Sequence, residues 1–139
     1  MKGPFMTRRE ERQLLMELVY EFSFYSAGEL RDIYTSEKEI REFDSGYVDK
    51  CTDGVIENMD EIDKYISDSS KGWKLSRLSR ITLSIMRVAV YEMIFEKLHY
   101  SIAINEAVEL AKKYDDDKAP AFINGVLNNI ALSSGLKND

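Results

Sequence analysis

A chain of 139 residues, 44% hydrophobic and 32% charged, is long enough for one domain with a real core and too short for two ordinary ones. Its single cysteine, Cys51, and single histidine, His99, exclude a disulfide framework or a Cys/His zinc site built within the chain, and suit a reducing compartment. The net charge of −6 argues against nucleic acid, but it is uneven: residues 29–68 hold thirteen acids and five bases, whereas 69–139 hold ten bases and eight acids, which leaves room for a local basic face.

The N-terminus, MKGPFMTRRE, lacks the apolar stretch of a signal peptide. Thr7 followed by Glu10 is a capping box, so a helix should begin near Arg8. Leu15, Leu18, Val19 and Phe22 form its buried face, and Ala27-Gly28 closes it. From Ile40 the apolar positions run through Phe43, Tyr47, Cys51, Val55, Met59, Ile62 and Ile66, with Asp44-Ser45-Gly46 as the break. That spacing predicts one short helix and one long one.

Ser67 to Gly72 reads as a polar loop. Trp73 and Leu75 then lead into a periodic region through Leu78, Ile81, Ile85, Met86 and Ala89. Its later part, SIMRVAVYEMIF, is apolar almost all round, which belongs at the centre of a bundle. Arg87 and Glu92 interrupt it, and it falls short of the roughly 20 apolar residues that span a bilayer; a soluble, cytoplasmic protein without a membrane contact is expected.

SIAINEAVELAKKY follows, with Ile104, Ala107, Val108 and Ala111 on one face and Asn105, Glu109 and Lys112 on a flank. Asp115 to Lys118 is a linker, and a last helix places Ile123, Val126, Leu127 and Ile130 together. No alternating strand pattern of useful length appears. The reading is all-α: about seven helices in two packed bundles, forming a single domain over residues 1–139.

Arg8, Arg9 and Arg12 stand in and beside the first helical turn, where the dipole disfavours cations by about 0.3–1 kcal/mol each. Either Glu10 and Glu11 offset this in a plain solvated turn, or the site uses guanidinium forks near phosphate. Arg87, a lone cation in an aliphatic run, reads as an ion pair with Glu92 or an acid of a neighbouring helix, or as a ligand contact. Gly125, within the last helix, suggests close backbone approach, and Phe122 is a core aromatic or a platform for a base. There is no phosphate-cradling Gly loop, no base beyond His99 and no Cys-His pair close in the sequence, so no enzymatic activity, cofactor or metal is expected.

The order of four blocks resembles the NusB family of bacterial transcription antitermination factors: an Arg-rich capped first helix ending in VYEF, then RLSRITLSIMRVAVYEM, AINEAVELAKKY and FINGVLNN, from about Thr7 to Leu132. The resemblance implies an all-α fold with no activity of its own. It implies binding of boxA, a short single-stranded RNA element of ribosomal RNA transcripts, together with a small-subunit ribosomal protein that acts as NusE. The heterodimer would then help load an RNA polymerase antitermination complex.

Carried over by position, Arg8, Arg9 and Arg12 become phosphate contacts, and Arg87, Phe122 and Asn124 further RNA contacts. Tyr20 goes to the ribosomal-protein surface, with Glu92 as a second candidate for it. Asn105 and Glu106 are expected to tie the last two helices to the central one through buried hydrogen bonds. The chain departs from the family where it has Thr82 for an acid, His99 for a Pro and Glu10 for a third basic residue, which implies weaker RNA binding alone and more dependence on the partner.

Some relatives of this fold self-associate over the RNA face, so a homodimer is a further option. The fold also occurs as the N-terminal domain of ribosomal RNA cytosine methyltransferases, though this sequence carries no catalytic domain. The rival from another class is a helical adaptor that binds protein only, through its acidic middle helices.

Overall fold

The computed structural model describes residues 6–26, 29, 32, 33, 36 and 46–138. Among them run six α-helices and no strand: α1 Arg8–Phe22, α2 Gly46–Glu57, α3 Met59–Ser69, α4 Arg80–Val90, α5 Tyr100–Tyr114 and α6 Ala119–Ser133. A 3₁₀ turn, Leu75–Arg77, precedes α4, and a π-helical turn, Tyr91–Phe95, extends it. The short helix expected at Ile40 to Phe43 and the closing Ala27-Gly28 lie outside the described residues.

The capping box forms as read: the Thr7 hydroxyl accepts from the Glu10 N–H at 3.1 Å, and the Thr7 N–H donates to the Glu10 carboxylate at 2.9 Å. Leu15, Leu18, Val19 and Phe22 are all buried. The long helix expected through Ile66 is instead two. Asn58 stands between α2 and α3, its side-chain amide donating to the Gly54 carbonyl at 2.8 Å; a short polar side chain competing for a helix carbonyl is a common way to end one. The polar loop starts later than its composition implies, because α3 runs to Ser69. Ser67 and Ser69 are helical, and the Ser70 hydroxyl donates back to the Ile66 carbonyl at the helix end.

The α4 helix is the hub. It packs against α1, α3, α5 and α6, and Ile85, Met86, Val88, Ala89 and Val90 are buried on it. Ile62 and Ile66 of α3, Ala103 and Ala107 of α5, and Ile123 and Leu127 of α6 complete one continuous core. Leu18, Phe22 and Val48 form a smaller cluster where α1 meets α2.

The close approach to a helical glycine occurs at Gly54, not Gly125, and a side chain makes it. A Cβ on Gly54 would overlap the Tyr91 ring, whereas one on Gly125 would meet nothing within 4 Å, since that glycine faces outward from α6. Cys51 is buried and unpaired, and burial pushes its thiol up to about 12. Among the described residues no helix is long and apolar enough to cross a membrane.

Candidate nucleic-acid interface

The three arginines of α1 divide by depth. Arg12 faces the core, only 6% exposed. Its Nε donates to Glu92 at 2.7 Å and its Nη1 to Glu106 at 3.3 Å. Arg9, one turn nearer the N-terminus, forks onto Glu106 through Nε at 3.1 Å and Nη2 at 2.7 Å, while its side chain stays 69% exposed. Arg8 lies outermost. Its guanidinium covers the Tyr47 ring at 3.5 Å and meets Glu11 at 3.3 Å.

Glu92 and Tyr47 anchor this arrangement from below. The π turn after α4 buries Tyr91, Glu92 and Met93 in succession. Glu92, 1% exposed, accepts from Arg12 on one oxygen and from the Tyr47 hydroxyl on the other. Burial and the neighbouring Glu92 charge both hold Tyr47 in its phenol form. Glu106 is pulled below the usual carboxylate range, first by the hydrogen bond from Arg9 and then by the charges of Arg9 and Arg12 against its own burial.

Two expectations change here. Glu106 ties α5 to α1 rather than to the central helix, and Asn105 is exposed. Arg12 and Glu92, read as RNA and partner contacts, lie beneath the surface and support it. The cause is stoichiometry: two buried acids meet two arginines, and each buried charge takes the partner that desolvation requires.

Arg87 is likewise committed to an ion pair, bidentate with Asp63 of α3 at 2.8 Å on both arms, and not with Glu92. Arg80 shares α4 with it but turns to α1, donating to the Ser23 carbonyl at 2.6 Å and lying over the Phe24 ring at 4.4 Å. Phe24 is 56% exposed and meets Tyr20 edge-on at 5.2 Å. Tyr20 therefore belongs to an aromatic patch, whose Phe24 the helix pattern alone did not single out.

Phe122 and Asn124 stand elsewhere, at the start of α6. Phe122 is half-buried and packs edge-on against Trp73 at 6.1 Å. Asn124 is exposed and accepts from the Asn128 amide at 3.3 Å. Arg9, Arg12 and Glu106 line a cleft between α1 and α5 that Lys112 and Lys113 also border, held by Glu109 and Gln13 at 3.1 and 2.8 Å. The predicted residues thus form several surface stations and two buried supports, not one pocket.

The family departures have local explanations. Thr82 donates to Asp115 at 2.6 Å and so links α4 to the α5–α6 connection. His99 caps α5, its Nδ1 accepting from the Ser101 N–H at 3.2 Å. Glu10 is spent on the capping box.

Comparison with known proteins agrees with this architecture. The model of the NusB family matches residues 9–132. The transcription antitermination protein NusB of Clostridium acetobutylicum is 40% identical over 132 residues, covering 93% of this chain and 98% of that protein. The NusB of Acetivibrio thermocellus is 39% identical over 90% of this chain and 88% of its own. Among solved structures, T. maritima NusB superposes with a TM-score of 0.74 at 30% identity, covering 91% of each chain. A chain from the crystal structure of antitermination factors NusB and NusE in complex with dsRNA gives a TM-score of 0.71 at 30% identity, over 92% of this chain and 99% of that one. With a family model spanning both flanks of the hub helix and relatives matched along nearly their whole length, the chain belongs to the NusB family.

Proposed function

We propose that this chain is a transcription antitermination factor of the cytoplasm. It binds boxA-type single-stranded RNA of ribosomal RNA transcripts as a heterodimer with the small-subunit ribosomal protein that acts as NusE, and joins the RNA polymerase antitermination complex. The observation that carries the reading is its likeness, over 92% of its length, to a chain of the NusB–NusE–dsRNA complex.

Local chemistry supports it. Arg8 and Arg9 stand exposed at the start of α1 in a chain of net charge −6, held by acids and an aromatic that leave their outer faces open to phosphate. Phe122 and Asn124 supply further RNA contacts, and Tyr20 with Phe24 supplies an aromatic surface for the protein partner. Arg12, Arg87 and Glu92 act indirectly, by holding the helices that carry these groups.

The test is fluorescence anisotropy of a labelled boxA-type RNA, titrated with this chain with and without the ribosomal protein over a salt series. Tight binding with the partner, weakened in Arg8→Ala/Arg9→Ala with a shallower salt dependence, is the expected result. Absence of binding in every combination would leave the protein-only adaptor.

A further inference from the structure

Trp73 is the only tryptophan of the chain, and it is 54% exposed on the loop after α3. An indole left this open gives up the burial that makes tryptophan worth having in a fold. Phe122 meets it edge-on, at an interplanar angle of 72°, so the two rings are not stacked on one another. The two rings and Leu78 border a groove of about 350 Å³, with Arg77 and Lys118 on its rim. Lys74 stands with Arg77 on the other side of the indole.

These cations differ from the basic residues described above, which are held by acids or, for Arg80 and Lys113, by the Ser23 carbonyl and the Gln13 amide. Arg9, Arg12 and Arg87 are bound to Glu106, Glu92 and Asp63, and Lys112 to Glu109. Lys74, Arg77 and Lys118 make no side-chain ion pair among the described residues. The acid in the groove lining is Asp116, whose Oδ1 is already taken by the backbone N–H groups of Lys118 and Ala119, each at 2.9 Å. Lys74, Arg77 and Lys118 thus outnumber Asp116, the acid of the groove lining, around one exposed aromatic side chain in an otherwise acidic protein.

That combination suits a single-stranded nucleic acid better than a protein partner. Every base offers a π-face for stacking and each nucleotide brings a phosphate for a nearby cation, whereas lysine is depleted in the cores of protein interfaces. We propose that the groove between Trp73 and Phe122 is a base-stacking subsite for single-stranded RNA, with Trp73 as platform and Arg77 and Lys118 on the flanking phosphates. The proposal rests on the RNA-binding function above and extends it to residues of the loop before α4.

Trp73 is its own reporter. The experiment titrates the complex of the full chain and a tryptophan-free ribosomal partner with labelled boxA-type RNA, and follows RNA anisotropy and Trp73 emission together. Emission should be quenched in step with binding. Trp73→Ala should weaken binding roughly 5- to 150-fold, Trp73→Phe should retain most of the affinity, and Arg77→Gln and Lys118→Gln should each lower the salt slope by about 0.7.

RNA binding with unchanged emission and an undiminished Trp73→Ala affinity would overturn the subsite and leave the RNA function standing. An emission change on adding the partner alone, with partner affinity lost in Trp73→Ala, would give the groove to protein and overturn the proposal. No RNA binding by the wild type would overturn both readings. Circular dichroism of Trp73→Ala should match the wild type, because the side chain is more than half exposed.

Discussion

Arg12 and Glu92 meet at 2.7 Å inside the protein although 80 positions separate them in the chain. The pair joins α1 to the π turn beyond the hub helix, and Glu106 and Tyr47 close around it from α5 and α2. Four elements converge on two buried charges, and on the same side of the molecule Arg8 and Arg9 reach the surface. Stability of the fold and display of the cationic turn are therefore mechanically linked.

Removing one partner leaves the other charge buried. Arg12→Ala should destabilise the protein by about 3–5 kcal/mol, visible as a lower urea midpoint. Under conditions where the variant remains folded, the salt slope of RNA binding should match the wild type. A slope reduced by about 0.7 would mean that Arg12 reaches a phosphate after all.

Arg9 is expected to differ from Arg12 in its salt slope. Its guanidinium is exposed, but it is the first partner of the buried Glu106 carboxylate, so Arg9→Ala should lower the urea midpoint by less than Arg12→Ala, because Arg12 still meets Glu106 and water reaches the vacated side. Its RNA affinity should fall uniformly across sequences, with the salt slope lower by about 0.7 for the lost contact to a single strand.

Acid should loosen the α1–α5 junction. The Glu106 carboxyl titrates lower in the folded chain than in the unfolded one, through Arg9 first and Arg12 after it. Its contribution is complete above the unfolded carboxyl pKa of about 4.3 and is lost as pH falls through the lower folded value. Glu106→Gln should be less stable than the wild type at neutral pH, with a flatter loss of stability in acid. Urea midpoints measured across the acid range would show whether the two curves converge.

Two helical glycines should respond with opposite sign. Gly54→Ala forces a methyl into the buried Tyr91 ring and should destabilise, by about 1–3 kcal/mol if the neighbours shift only partly. Gly125→Ala adds a methyl in open space on an exposed helix position and should stabilise by roughly 0.8–1 kcal/mol through helix propensity. Thermal unfolding of the two variants beside the wild type decides it.

Much of the architecture is legible in the sequence. The Thr7 and Glu10 spacing located the start of α1, because a cap is a local hydrogen-bond pattern within four residues. The 3.6-residue repeat picked out the buried faces, and the all-round apolar run picked out the hub, because periodicity is a property of a single helix. The block order was enough to suggest the family.

Tertiary structure decided what each face meets. Periodicity could say that Glu106 lies near an apolar stripe, but not that it reaches Arg9, 97 residues earlier in the chain. The same blindness made Arg87 ambiguous until Asp63 closed on it, and made Gly125 look like the close approach that Gly54 provides. A sequence fixes the rotation of side chains about their own helix axis; which neighbour fills the space opposite depends on how helices distant in sequence cross. Desolvation then selects the pairs, since a charge carried into the core must find an opposite charge there.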